Sequence, residues 1–75
     1  MNRYQLLKRN EKLIFQFVRN GILSYQIIRD IEIYERFDEM EEPIKDVKYL
    51  VLGEQYELSP NRIEQIITQM NRIIN

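Results

Sequence analysis

Only four of the 75 residues are glycine or proline, and they fall at positions 21, 43, 53 and 60. Tight turns that need a positive or a locked φ are therefore few. The stretches between them are long and carry apolar side chains at three- and four-residue intervals, the period of a helix. The fold is expected to be all-α, a small bundle of about four helices in one domain spanning residues 1–75. The first helix is expected over residues 4–19, with Leu7, Ile14, Phe17 and Val18 near one stripe. Asn20-Gly21 ends it, because both residues tolerate the left-handed conformation that closes helices. Ser24 then fits an N-cap, with Leu23 and Ile28 in the staple positions around it, and opens a helix to about residue 40 that buries Ile27, Ile31 and Tyr34. Glu41-Glu42-Pro43 interrupts the pattern, since a proline disfavours helical geometry in the residue before it and suits the first turn of a new helix. The third helix is expected over residues 44–56. Ser59-Pro60 supplies a hydroxyl cap followed by proline at the first helical position, with Leu58 and Ile63 in staple positions. That fourth helix should run nearly to Asn75, packing through Ile63, Ile66, Ile67, Met70 and Ile74.

Composition removes several kinds of chemistry. The chain has no cysteine and no histidine, so it lacks a disulfide framework, thiolate metal ligands and the commonest general base. Its hydroxyl nucleophile candidates are Ser24, Ser59, Thr68 and the tyrosines, and both serines read as helix caps. There is no Gly-rich phosphate loop. The acidic run Asp38, Glu39, Glu41 and Glu42 lacks the alternating ligands and glycine of a calcium loop and reads as a solvated helix end. A protein that is not an enzyme, with no cofactor and no metal, is expected. No apolar run approaches the roughly 18 residues that a membrane span needs, and the N-terminal stretch lacks the apolar core of a signal peptide. The expected setting is cytoplasmic, with no membrane partner.

Net charge is −1, from 11 basic and 12 acidic residues, but the charges are unevenly spread. Residues 1–25 carry Arg3, Lys8, Arg9, Lys12 and Arg19 against Glu11 alone. Residues 26–43 carry Arg29 and Arg36 against Asp30, Glu32, Glu35, Asp38, Glu39, Glu41 and Glu42. The basic arm, through Arg3, Lys8, Arg9 and Lys12, suits either phosphates or an exposed amphipathic surface. The acidic segment 30–42 offers a surface to a basic protein partner. A chain this short buries only about 60% of its unfolded surface, and it carries more aromatic side chains than so small a core holds. A homodimer is expected, with Phe15, which lies off the main stripe of its helix, as the first candidate contact.

The spacing between the last two helices carries most of the functional information. Glu57-Leu58-Ser59 is a connection of about three residues, the length used by a helix-turn-helix, here over residues 44–74. Leu52, Gly53, Tyr56, Leu58, Ile63 and Ile66 fall where such a unit needs apolar contacts and one small residue for close approach. At the remaining turn position, where glycine commonly takes a positive φ, this chain has Glu57. The last helix has an apolar side and an outer side of Asn61, Arg62, Gln65, Thr68, Gln69 and Arg72. Arginine can bridge guanine O6 and N7, and asparagine or glutamine adenine N6 and N7. Asn61, Arg62 and Gln65, near the start of the helix, are the candidate base readers. Lys45, Lys48, Ser59, Thr68 and Arg72 are candidate backbone contacts that fix register on phosphates.

Residues 49–67, Tyr-Leu-Val-Leu-Gly-Glu-Gln-Tyr-Glu-Leu-Ser-Pro-Asn-Arg-Ile-Glu-Gln-Ile-Ile, resemble the "LAxxYGLSxxRIxxII" helix-turn-helix of Mor-type phage transcription activators and the last DNA-binding region of sigma factors. Arg29, Asp30, Ile33, Tyr34 and Phe37 are similar to the "RDxxIYxxF" stretch that precedes that unit. The resemblance covers about a third of the chain. It implies promoter DNA binding with the final helix in the major groove. Gly53 stands where alanine is usual and Glu57 where glycine is usual, and much of the dimerisation region of a full activator of this type has no counterpart. Two readings follow: a small DNA-binding transcriptional regulator working as a homodimer on double-stranded DNA, and a protein-interaction module, such as a small inhibitor or adaptor from a phage or mobile element, that keeps the helix pair but docks a protein.

Overall fold

The computed structural model describes residues 1–74, and they form five helices: α1 (Arg3–Arg9), α2 (Glu11–Arg19), α3 (Gln26–Glu39), α4 (Lys45–Tyr56) and α5 (Pro60–Met70). The protein is all-α, without strands among the described residues. No described helix is long and apolar enough to cross a membrane.

The helix expected over residues 4–19 is divided at Asn10, which leaves helical geometry with φ −108° and ψ 22°. Its side-chain amide donates to the Leu6 carbonyl at 2.8 Å, and its own N–H turns tightly back to Leu7 at 3.1 Å. A short amide side chain that satisfies the carbonyl one turn back competes with helix continuation. The first piece, α1, starts from a reciprocal cap in which the Asn2 Oδ1 accepts from the Gln5 N–H and the Gln5 Oε1 from the Asn2 N–H, each at 2.8 Å. The second piece, α2, ends as expected at Asn20-Gly21. Gly21 takes φ 74°, its N–H bonds to Val18 O, and the Ile22 N–H reaches back to Phe17 O at 2.8 Å, the paired bonds of a Schellman turn.

Farther along, Ser24 acts near the start of α3, its hydroxyl accepting from the Gln26 N–H at 3.2 Å. The buried side of α3 differs from the expected one. Ile31 is buried, but Ile33 is the residue without any exposure, while Ile27 and Tyr34 are half-buried. Packing by α1, α4 and α5 around α3 closes off two sides of that helix, and a one-stripe reading finds only one of them. Pro43 lies just outside α4 and not in its first turn, because Ile44 is extended (φ −96°, ψ 115°) and the helix begins at Lys45. The Glu42 carboxylate accepts from the Ile44 N–H at 3.2 Å in that connection.

The core is built from Ile31, Ile33, Leu52, Ile63, Ile66, Ile67 and Met70, with Tyr49, Tyr56 and Leu58 among the side chains packed on it. Ile63, Ile66, Ile67 and Met70 are thus the inner face of α5, as their spacing predicts. Helix α5 stops at Met70, short of the expected end, and Ile74 is half-buried beyond it. The chain then extends so that Ile73 pairs antiparallel with Asn2. The Arg3 N–H donates to Arg72 O at 2.9 Å, and the Ile74 N–H donates to Met1 O at 3.0 Å. The Tyr34 hydroxyl holds Asn71 Oδ1 at 2.6 Å in the same turn. These bonds give the backbone beyond Met70 partners that a longer helix would have to forgo. Asn75, the residue that the expected helix nearly reaches, lies outside the described residues.

The first helix docks on α3 through a polar contact as well as an apolar one. Tyr4 meets Tyr34 edge-on with ring centroids 4.5 Å apart. Its hydroxyl donates to Glu35 Oε2 at 2.6 Å, and the Lys8 ammonium lies 3.0 Å from that same oxygen and 3.1 Å from Glu11 Oε1. The Glu35 carboxyl is held below its ordinary range, first by the Tyr4 hydrogen bond and then by Lys8. The Glu35 bond, with burial, pushes the Tyr4 phenol up to about 12.

Candidate nucleic-acid interface

The connection between α4 and α5 is Glu57-Leu58-Ser59, the three residues expected. Two backbone features set its tightness. Glu57 sits in the left-handed region at φ 58° and ψ 42°, a conformation that costs a residue with a Cβ roughly 1 kcal/mol or more. The Gly53 carbonyl then accepts from both the Glu57 N–H and the Leu58 N–H, the second at 2.9 Å. Gly53 itself is pressed against the turn: a Cβ there would lie 2.5 Å from the Leu58 carbonyl oxygen. The absence of a side chain at 53 is what lets residue 58 lie down on α4, with Leu58 packed against the core.

Ser59 caps α5. Its hydroxyl accepts from the Arg62 N–H at 3.1 Å, and Pro60 occupies the first helical position, where a missing N–H goes unnoticed. Because the inner face of α5 is wholly apolar, its outer face is left to polar side chains. Asn61, Gln65, Thr68 and Gln69 are exposed, and Arg62 is half-buried at one border with its guanidinium 3.5 Å from Gln65 Oε1. Glu64 lies at the opposite border, close enough to α4 that its carboxylate adds, with Asp46, to the burial that raises the Tyr49 phenol. Gln65, Thr68, Gln69 and Arg72 line one shallow surface concavity together with Glu64.

The candidate residues are therefore in different situations. Asn61, Arg62 and Gln65 lie together on the first two turns of α5. Thr68 extends that face. Arg72, expected on the helix, lies past its end in the turn toward the terminal pairing, with its carbonyl holding Arg3. Lys45 is exposed at the start of α4. Lys48 is committed to the protein: its ammonium donates to the Phe37 carbonyl at 3.2 Å and stands 4.5 Å from the Phe37 ring centroid, joining α4 to the end of α3. Phe37 stacks in turn on Tyr49, with centroids 5.5 Å apart. In the basic arm Lys8 is likewise taken up by Glu35 and Glu11. The chain pairing of Arg3 with Arg72, which sequence spacing could not disclose, puts two arginines side by side at the far end of α5. Among the described residues no group of three or more acidic side chains is arranged to hold a metal ion. Compared with family models, curated proteins and solved structures, the chain matches none.

Proposed function

We propose that α4, the turn and α5 form a helix-turn-helix that binds double-stranded DNA with α5 in the major groove, and that the protein is a transcriptional regulator acting as a homodimer. The observation that carries this reading is the division of α5 into a fully apolar inner face and an outer face of Asn61, Gln65, Thr68 and Gln69, presented by a turn pressed onto Gly53. An outer face without a carboxylate at its centre accepts base edges and phosphates together, and amide side chains there match adenine. The resemblance of residues 49–67 to the Mor-type and sigma-factor units supports the same placement. Asn61, Arg62 and Gln65 read bases in this scheme, while Lys45, Ser59, Thr68 and Arg72 contact the backbone and Lys48 contributes only by leaving Phe37. A single short recognition helix on a chain of net charge −1 binds a half-site weakly, so two copies on a palindromic site follow.

Selection from a randomised duplex library at about 50 and about 200 mM salt tests this reading, because phosphate contacts impose a steep salt dependence. The expected result is a two-fold symmetric motif that weakens with salt and disappears for Arg62→Ala with Gln65→Ala. No enrichment and no salt-sensitive binding by the wild type would refute it.

A second reading, a protein-interaction module, draws on the internal commitment of Lys8 and Lys48 and on Asp38, Glu39 and Glu41, which are exposed at the end of α3 and beyond. In that case Glu39→Lys with Glu41→Lys abolishes capture of a basic protein partner, and the α5 double variant leaves it unchanged. Glu42 is left intact in this test because it caps Ile44.

A further inference from the structure

Helix α2 gives no side chain to the cluster built around Ile33, Leu52 and Ile63, and α1 is its main packing partner. Ile14 is the one buried residue in it. Phe15 is 41% exposed, and the chain that leaves the helix adds Ile22 at 67% and Tyr25 at 66%, while Leu13, at 46%, stands two residues from Phe15 and on another side of the helix. Large apolar side chains on a monomer's surface need no explanation singly, and on α2 the face in question is the one that carries Phe15, with half-buried Val18 one turn on beside it. What the face fits is written in the row that contains Phe15. Residues 11, 15 and 19 are four apart, so they stand in line along the helix surface. That line reads Glu11, Phe15, Arg19: an acid at one end, a base at the other and an aromatic ring midway.

We propose that α2 is the self-association surface of this chain, pairing antiparallel with α2 of a second copy about a two-fold axis at Phe15. A two-fold axis at residue 15 brings each Glu11 opposite Arg19 of the other copy and each Phe15 opposite its own counterpart, so the face is complementary to itself. A parallel arrangement would set Glu11 on Glu11 and Arg19 on Arg19. In the monomer Glu11 Oε1 takes Lys8, leaving Oε2 for a second cation, and Arg19 makes no ion pair among the described residues. Both charges sit at the rim of the ring contact, where they select the orientation more than they add affinity. A pair of nine-residue helices covers less than the roughly 800 Å² per partner of a standard interface, so monomer and dimer exchange readily. The inference deepens the homodimer part of the proposed function, but none of its residues belongs to the α5 face. Sedimentation and DNA binding can therefore fail separately.

Sedimentation equilibrium of the full chain without DNA, from about 1 to about 500 µM, spans the range expected of so small an interface. The wild type should pass from monomer to dimer. Phe15→Glu should weaken the association at least about tenfold with unchanged far-UV dichroism, since the side chain is exposed. Glu11→Arg and Arg19→Glu should each weaken it, and the charge exchange Glu11→Arg with Arg19→Glu should recover most of the loss. A wild type that stays monomeric throughout, a Phe15→Glu variant that dimerises like the wild type, or an exchange no better than its single changes would each overturn the proposal.

Discussion

Replacing Gly53 by alanine separates helix propensity from the demands of the turn. On propensity alone the change stabilises, because glycine inside a helix costs about 1 kcal/mol relative to alanine. The turn opposes it. The new Cβ would lie 2.5 Å from the Leu58 carbonyl oxygen, whereas such contacts essentially never fall below 3.0 Å. The obstacle is backbone, and that same peptide segment is held to Gly53 O by the Leu58 N–H at 2.9 Å. Opening a packed contact by at least half an ångström costs about 1–3 kcal/mol, and it also strains the hydrogen bond and lifts Leu58 from the core. The net expectation is a loss of about 1–2 kcal/mol, or a melting temperature lower by about 5–15 °C in a domain of this size. Thermal and urea melts followed by far-UV dichroism measure it, with an unchanged urea m-value showing that the loss is one of stability. A Gly53→Ala protein as stable as the wild type, or more so, would show that the turn gives way freely and that Gly53 does not govern how closely α5 approaches α4. The resembling helix-turn-helix pattern carries alanine here, so the outcome also tests whether this turn is the tighter one.

Three other outcomes follow from the contacts described. Glu57→Gly, at the exposed residue with φ 58°, relieves the left-handed strain and should raise stability by about 0.5–1 kcal/mol after the larger chain entropy of glycine is subtracted; a lower melting temperature would contradict it. Ser59→Ala should cost about 1 kcal/mol through loss of the α5 cap, and Ser59→Asp should keep the cap while weakening DNA binding by repulsion of phosphate; two melts and one binding curve decide the matter. The depressed Glu35 carboxyl stabilises the fold above its usual value of 4.5, and this contribution is lost as pH falls through the folded value. Tyr4, raised to about 12, favours the neutral phenol, so its contribution is present below about pH 10 and is lost as pH rises toward 12. Tyrosinate absorbance should show a phenol ionising near pH 12 that moves down in Glu35→Gln, and an unmoved titration would remove Glu35 as the main cause.

The parts of the fold that were legible in the sequence are those fixed by neighbours along the chain. Asn20-Gly21 closes α2, Ser59-Pro60 opens α5, and the inner face of α5 follows from a regular spacing of isoleucines and methionine. The break at Asn10 was hidden because Leu7 and Ile14 are seven apart, a spacing that keeps helical phase across the interruption. Ile33 was missed because its burial comes from the neighbours that close a second side of α3, which no single-stripe pattern encodes. The early end of α5 depends on a partner seventy-one residues away in the chain, Asn2 opposite Ile73. The candidate site divides along the same line. Asn61, Arg62 and Gln65 share a surface because they share a helix, whereas the internal use of Lys48 depends on where α3 ends, and the meeting of Arg3 with Arg72 depends on the terminal pairing.

That pairing also makes the path of the chain nearly circular. The Met1 carbonyl and the Ile74 N–H are hydrogen-bonded neighbours, so residues 1 and 74 meet in one place, beside Arg72 and the far end of α5. Ring closure through a short linker is compatible with every helix. Reopening that ring at the connection between α3 and α4 would give a permuted protein whose new ends no longer lie beside Arg72.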